Sequence, residues 1–382
     1  MDDRIENIMK SVELDTFLSV ARAALDNPNI TSVQKPSLTE ITTSHNDQRT
    51  IGIVKVSGVA IGLEGQRRWS SVAKIIDSAK VSGDAARWLF PENERKIYEL
   101  GLFQNDGIRL RPAKCYLVDD LDDDLSVLWL EDLSEAPQPP WSLDQFTSAA
   151  ANLAQFNGFH LANDTELPVS IQQDAYYLRN GGGRTREQYA EVAEMRDNEL
   201  VDRVYRDVSM ESALEFAALY EKALEKAKEL PHSICFGDSH ARNMFPIDSQ
   251  TVGIDWASIT RDPIGVDVGV LAGSPLTFGA EEAQLSADHE QVIFDAYLSS
   301  LADSEWTGKP EDVRVAFFCQ FAGYISIVAT IPLSLDEYLN NPDRRAFLLD
   351  RFGVTVDDLP ERLASVMTLI PKYVEELRQL VG

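Results

Sequence analysis

Between Ser233 and Asp267 three short apolar runs follow one another inside a half of the chain that otherwise has helical patterning. Ser233-Ile234-Cys235-Phe236 reads as a strand, Met244–Ile247 as a second and Val252-Gly253-Ile254 as a third, with the polar turn Asp248-Ser249-Gln250 between the last two. A turn centred on Ser249 puts Asn243 opposite Asp255 at the open end of a hairpin. A carboxamide and a carboxylate side by side are hard oxygen donors, and Mg²⁺ takes only one or two such protein ligands when phosphates and water complete its shell. Asp238 lies on the incoming loop, five residues before Asn243, placed to accept a proton from a substrate hydroxyl. Asp, Asn and Gly are ordinary turn residues taken singly; the joint spacing favours chemistry over chance.

The rest of the chain limits what that hairpin serves. At 382 residues it is too long for one ordinary core and suits two lobes. Its 35 basic and 62 acidic residues leave a net charge of −27, which disfavours nucleic acid and anionic membranes as partners and weakly favours a cationic substrate. Cys115, Cys235 and Cys319 are far apart and lack metal-ligand spacing, so buried thiols in a reducing compartment are expected. The charged start Met1-Asp2-Asp3-Arg4 does not open a signal peptide, and a cytoplasmic location follows as the expectation. Val315–Leu335 has the length of a membrane span, but Gln320, Gly323, Ser326, Thr330 and Pro332 favour a buried core helix.

Residues 1–36 read as a helical extension, with Leu14, Leu18, Ala21 and Leu25 on one face. Strands are expected at Leu38–Ile41, Ile51–Ile61, Trp69–Ile76, Ala113–Val118 and Leu125–Leu130, with a helix near Asn93–Leu100. The acidic run Asp119, Asp120, Asp122, Asp123 and Asp124 reads as a solvated hairpin tip rather than a metal site, since no apolar shell surrounds it. From Trp141 onward helices dominate, at Phe146–Leu161, Glu187–Tyr205 and Glu211–Leu230. Gly181-Gly182-Gly183 reads as a loop: no strand precedes it and no Lys-Ser or Lys-Thr closes a phosphate loop after it.

Gly237-Asp238-Ser239-His240-Ala241-Arg242-Asn243 followed by Ile254-Asp255-Trp256 resembles the aminoglycoside phosphotransferase and choline kinase superfamily. Its catalytic loop reads His-Gly-Asp-x-x-x-x-Asn and is followed by Ile-Asp-Trp or Ile-Asp-Phe. Here Phe236 stands where that family has His. The resemblance implies Asp238 as catalytic base, Asn243 and Asp255 as Mg²⁺ ligands, and Asp267 as a brace on the loop. Lys74, in Ser71-Val72-Ala73-Lys74-Ile75, matches the strand lysine that meets nucleotide phosphates, and which way it points depends on strand register. Glu94 matches its helix partner, with Glu92 and Glu99 as competing candidates. Leu128-Trp129-Leu130-Glu131-Asp132-Leu133 resembles the family's hinge, where backbone groups of Glu131 and Leu133 would meet the purine. Ser44-His45-Asn46-Asp47 occupies the position of the nucleotide loop. Leu153–His160 is similar to the helix after the hinge, where His160 reads as a core or helix-end histidine; His240 and Arg242 face substrate or simply solvent.

The resemblance spans roughly residues 37–335 and implies an α+β, two-lobed, protein-kinase-like fold. Its parts are an N-terminal extension (1–36), a small antiparallel β-sheet N-lobe with one helix (37–130), a hinge (131–135) and a larger, mainly helical C-lobe (136–382). The expected activity is ATP- or GTP-dependent, Mg²⁺-requiring transfer of the γ-phosphate to a hydroxyl of a small molecule, such as an aminoglycoside-like antibiotic, an amino alcohol or another hydroxylated metabolite. A nucleotide-binding regulatory relative that has lost transfer is the alternative, motivated by Phe236. A protein kinase proper is disfavoured, because the chain has neither Asp-Phe-Gly nor Ala-Pro-Glu.

Overall fold

The structure is a computed structural model, and it describes residues 2–41, 50–77, 91–100, 102–103, 107–168, 186–195, 197–278, 289–304, 306–334 and 357–382, with a few single positions between 340 and 355. The loop at Ser44–Asp47, including His45, and the glycine run Gly181–Gly183 lie outside the described residues. The chain divides into two compact units, residues 1–102 with 112–136, and residues 103–111 with 137–382.

The first unit starts with α1 (Asp3–Ser11), α2 (Leu14–Ala24) and β1 (Ile30–Val33). The chain continues through β2 (Ser37–Ile41), β3 (Thr50–Gly62), β4 (Gly65–Asp77), α3 (Pro91–Glu99), β5 (Leu110–Pro112), whose Leu110 and Arg111 belong to the second unit, β6 (Cys115–Asp120) and β7 (Leu125–Leu130). The antiparallel sheet runs β1-β3-β4-β7-β6, with β2 also paired to β3; β5 joins the second unit's β-structure instead. The residues between the two expected strands, 62–68, are mostly strand as well: Gly62 pairs with Gly65 across a two-residue loop, and Gly65 takes φ 102° there.

Strand alternation gives the sheet two different faces. Val54, Val56 and Ala60 of β3, Trp69, Ala73 and Ile75 of β4, and Val127 and Trp129 of β7 point to one face, and Ile5, Met9, Phe17, Val20 and Ala21 of α1 and α2 cover it. The extension is thus part of the sheet's core, and its buried stripe is Phe17, Val20 and Ala21; Leu14, expected on that stripe, is exposed. The segment is not helical throughout, because its last residues pair with β3 as β1. Ile76, Leu128 and Leu130 point to the other face, where Val72 and Tyr98 pack with them.

The second unit contains α4 (Leu143–Ala162), α5 (Arg186–Glu194), α6 (Glu199–Val204) and α7 (Met210–Ala227). Three short strands follow, β8 (His232–Cys235), β9 (Met244–Ile247) and β10 (Gln250–Gly253), then β11 (Thr260–Pro263). It ends with α8 (Val266–Phe278), α9 (His289–Ala302), α10 (Pro310–Thr330), α11 (Leu359–Met367) and α12 (Ile370–Val381). A capping box fixes the start of α4: the Ser142 side chain accepts the Gln145 N–H while the Gln145 side chain returns to the Ser142 N–H. The helix expected over 187–205 is two helices, because Asn198 restarts the chain by accepting the Leu200 N–H as an N-cap.

Pro310–Leu333 is long and apolar enough to cross a membrane, with a mean hydropathy of 1.7 over its most apolar 18 residues, yet 83% of those are buried inside the protein. It is the core helix expected from its polar residues: apolar on every side because helices surround it. Its one buried cation, Arg314, lies between Glu290 of α9 and Glu376 of α12, at 3.0 and 2.7 Å, and over the rings of Phe294, Phe317 and Phe318.

Phe17 meets Trp129 edge-on at 5.5 Å, and both are buried. Phe17→Ala is expected to destabilise the first unit by about 3–5 kcal/mol, the usual cost of deleting a buried ring. Urea unfolding followed by tryptophan fluorescence measures it; a loss below about 1 kcal/mol would show that the helices do not share the sheet's core.

Candidate active site

In the first unit, register decides where the strand lysine goes. Lys74 pairs with Ile53 on one side and Leu128 on the other, so it points to the face of Val72 and Ile76, away from α1 and α2. Its ammonium donates to Glu94 Oε2 at 2.5 Å, and both side chains are buried. The helix supplies Glu94 because Glu94, Ile97 and Tyr98 share one face at i, i+3 and i+4. Glu99 is exposed on the opposite side, so of these two Glu94 is the partner. Arg95, next to it, holds Asp120 of β6 through two bonds of 2.8 and 3.0 Å and ties the helix to the sheet edge.

The segment after β7 is held from both sides. Glu131 exchanges two bonds with Lys114, its N–H donating to the Lys114 carbonyl at 2.8 Å and its carboxylate accepting the Lys114 N–H at 3.0 Å. Leu133 is buried, and its carbonyl accepts the Ala136 N–H. The Glu131 N–H is therefore committed to the protein, so any backbone contact of that residue to a ligand falls to its carbonyl. Between them Asp132 pairs with Lys55 of β3 at 2.8 Å, and Lys55 also donates to Ser134 at 2.6 Å. The sequence reading missed Lys55, because a strand lysine 77 residues before its partner leaves no local signal.

In the second unit, β9 and β10 form the expected hairpin with a different register. The connection is the two-residue loop Asp248-Ser249, with Asp248 at φ 54°, so Met244 faces Gly253 and Asn243 faces Ile254. The Ile254 N–H donates to the Asn243 carbonyl at 2.9 Å. Asn243 is thus not opposite Asp255, as a turn centred on Ser249 would have placed it. Asp248-Ser249-Gln250 contains no glycine to announce the shorter loop, and one residue of slip reverses every side chain. Asp255 leaves the strand in the left-handed region, φ 60° and ψ 54°, and opens a short 3₁₀ turn, Trp256–Ser258. Its side chain is exposed, whereas Asn243 is buried.

The loop from Phe236 to Asn243 is fixed at its root and at its tip. At the root, Asp267 in the first turn of α8 accepts the N–H groups of Phe236 and Gly237 at 2.8 and 2.9 Å, and its backbone carbonyl accepts the Ser239 hydroxyl at 2.7 Å. Burial pushes the Asp267 carboxyl up, opposed by donors from Asn157, Gly237, Phe236 and Ser239. Gly237 takes φ 82°, and a Cβ there would lie 2.2 Å from the Ser258 carbonyl, so only glycine fits. At the tip, the Asn243 amide donates to Asp238 Oδ2 at 2.9 Å and to the Asp238 carbonyl at 3.2 Å, while His240 Nε2 lies 3.6 Å from Oδ1. With Nδ2 facing Asp238, the carboxamide offers its oxygen on the other side.

Phe236, the departure from the family pattern, is fully buried and stacks on Trp256 with centroids 4.1 Å apart. The brace to Asp267 uses the Phe236 backbone, so a phenyl ring in place of an imidazole leaves it intact. His160 is buried against Phe156 and Phe159 and reaches Thr165, as a core histidine does.

Asn243 and Asp255 offer a carboxamide oxygen and a carboxylate, both hard donors, and that set fits Mg²⁺ completed by phosphate and water. Among the described residues no group of three or more His, Cys, Asp or Glu side chains gathers as a cage, so a metal here would depend on ligands from a bound anion. Of the acidic run, Asp119 and Asp120 end β6 and pair with β7, and 121–124 form the turn, with Asp122 Oδ1 accepting the N–H groups of Asp124 and Leu125.

No protein-family model matches the chain, and no curated protein matches its sequence. Among solved structures it is similar to choline kinase from Cryptosporidium parvum Iowa II, at a TM-score of 0.51 and 12% identity over 96% of this chain and 97% of that one. Matches at a TM-score of 0.49 include an aminoglycoside phosphotransferase from Alicyclobacillus acidocaldarius, 15% identical over 94% of this chain and 96% of that one. Amicoumacin kinase in complex with AMP-PNP and Ca²⁺ matches at the same score, 10% identical over the same shares. At such identities the likeness is one of fold: the chain has the kinase-like α+β fold of the choline kinase.

Asp132 gives a pH test of the segment after β7. Burial pushes its carboxyl up, but hydrogen bonds from Lys55, Ser70 and Ser134 outweigh that and hold it at about 2. A carboxylate depressed in the folded state stabilises above its unfolded value of about 4 and loses that contribution as pH falls towards about 2. The Tm difference between wild type and Asp132→Asn is expected to be largest near neutral pH and to close below about pH 4. A difference that stays constant from pH 7 to 3 would sink the assignment.

Proposed function

We propose that this protein is a small-molecule phosphotransferase that moves the γ-phosphate of ATP or GTP to a hydroxyl group. The observation that carries the reading is the braced loop: a carboxylate, Asp238, held at one oxygen by Asn243 on a loop whose root is clamped to a buried Asp267. The buried Lys74–Glu94 pair of the first unit and the fold shared with a choline kinase support it.

Asp238 is the base. It takes the proton of the acceptor hydroxyl as the acceptor oxygen bonds to the γ-phosphorus and the bond to the leaving nucleoside diphosphate breaks. The Asn243 amide, by donating to Oδ2, and His240, whose Nε2 lies 3.6 Å from Oδ1, fix the rotamer of the carboxylate. Lys74 offsets phosphate charge, and Glu94 keeps the ammonium from folding back against the sheet. The Glu131 carbonyl and the Leu133 N–H are the backbone groups for the purine. Asn243 Oδ1 and the Asp255 carboxylate would hold Mg²⁺, which when bound neutralises charge on the phosphates.

The acceptor is a hydroxylated small molecule, and the net charge of −27 favours a cationic one. Free cysteines with thiols raised by burial, Cys115 to about 11 and Cys235 and Cys319 further, support a reducing, cytoplasmic setting.

Two variants test the reading. Asp238→Asn is expected to lower turnover on a metabolite library by roughly 10²–10⁴-fold while nucleotide binding persists; unchanged turnover removes the base. Asp255→Ala is expected to abolish the Mg²⁺-dependent rise in Tm with ATP or GTP, a rise worth about 2.7 kcal/mol at 100 times Kd. The same rise in the variant contradicts the metal assignment; a rise in wild type without turnover favours the nucleotide-binding relative that has lost transfer, and no rise in wild type removes the nucleotide site.

A further inference from the structure

Behind the braced loop lies a polar network that the roles above leave unused. Asp267 is fully buried, and its side-chain partners are neutral: the N–H groups of Phe236 and Gly237, the Asn157 amide at 3.0 Å and, at 3.5 Å, the Ser239 hydroxyl. Asn157 comes from the middle of α4 and is itself fully buried. Its Nδ2 reaches Asp267 Oδ2, the Ile234 carbonyl of β8 at 2.8 Å and, at the longer 3.9 Å, Cys235 Sγ. Its Oδ1 accepts the hydroxyl of Tyr297, from α9, at 2.8 Å, and its own backbone carbonyl accepts the Ser233 hydroxyl.

We infer that Asn157 and Tyr297 are positioning residues for the loop that carries Asp238, an assignment whose catalytic side rests on the phosphotransfer reading above. Only one orientation of the Asn157 amide satisfies every partner. Turning it over would aim its oxygen at a carboxylate and a carbonyl, and its NH₂ at a hydroxyl that now donates. The Tyr297 hydroxyl holds the orientation, because it supplies a donor to Oδ1 where both side chains are fully buried. One NH₂ group then ties β8, which delivers the loop, to the carboxylate that clamps the loop's root. Ile234 is four residues before Asp238, so a shift of that joint passes down a short chain with Gly237, its most pliable residue, in the middle.

Without Asn157 the buried carboxylate loses one of its neutral donors, and the burden falls on the amides of Phe236 and Gly237. The loop's root then moves or opens, and Asp238 moves with it. The nucleotide contacts assigned above to Lys74, Glu131 and Leu133 lie on other elements and stay as they are. The signature is therefore a fall in kcat with nucleotide KM held.

The test uses the full chain as Tyr297→Phe and Asn157→Leu, with two readouts. Hydrogen exchange at the amides of Phe236 and Gly237 is expected to accelerate at least about tenfold in both variants at a temperature well below Tm. Release of inorganic phosphate from MgATP or MgGTP, without an added acceptor, is expected to slow by about 10²-fold in Asn157→Leu and less in Tyr297→Phe, with nucleotide KM changed less than about twofold. Should Asn157→Leu fail to fold, Tyr297→Phe, which removes one oxygen, carries the test alone. A lower Tm with exchange at both amides and kcat unchanged would reduce the two residues to packing and overturn the assignment. A wild type that neither binds nor turns over nucleotide would sink the phosphotransfer reading, and the exchange arm would still decide whether the network holds the loop.

Discussion

A carboxylate sealed in the second unit, Asp267, holds two consecutive backbone N–H groups at the root of the loop that carries Asp238. Burying an anion is costly unless several donors meet it, and here the donors come from the loop itself, from α4 and from a hydroxyl within the same loop. That cost makes the arrangement specific: alternative loop conformations would leave the carboxylate with too few partners. Gly237, whose backbone only glycine adopts without clashing with Ser258, lets both amides turn to the same carboxylate. The strands β8 and β11, the 3₁₀ turn after Asp255 and the Phe236–Trp256 stack all gather around this point.

The first unit obeys a different constraint, the two-sidedness of its sheet. Period-2 alternation sends Ala73 and Ile75 into an apolar core closed by α1 and α2, and so sends Lys74 to the other side. An ammonium there is buried and needs a partner, and Glu94 is placed by the same α3 face that packs Ile97. The N-terminal helices thus act on Lys74 from the opposite face: by filling one face of the sheet they favour the register that gives the lysine its direction.

Much of this was legible in the residues. The Gly-Asp-x-x-x-x-Asn spacing, the apolar-Asp-Trp run and the strand lysine named the loop, the hairpin and the β-rich first half, and the polar residues of 315–335 marked a core helix. Phe236 suggested a disturbed loop, yet the brace acts through backbone, which no side-chain substitution reports. Lys55 and Asn157 escaped notice because their partners lie far along the chain: Asp132 for one, Ile234, Asp267 and Tyr297 for the other.

Sequence by itself determined most of the strands and helices and marked residues with candidate chemistry, because periodicity, caps and residue type act over a few positions. It marked Asp238, Asn243, Asp255 and Lys74 as the groups with chemistry to offer. Only the tertiary structure decided how they are held. The two-residue loop that sets Asn243 against Ile254 rather than Asp255, the choice of Glu94 for Lys74, and the convergence of Asn157, Tyr297 and Asp267 behind the loop depend on packing between distant segments. A hairpin register turns on one residue of turn length, and a buried polar group accepts whichever partner the fold brings to it; neither is encoded within a local window.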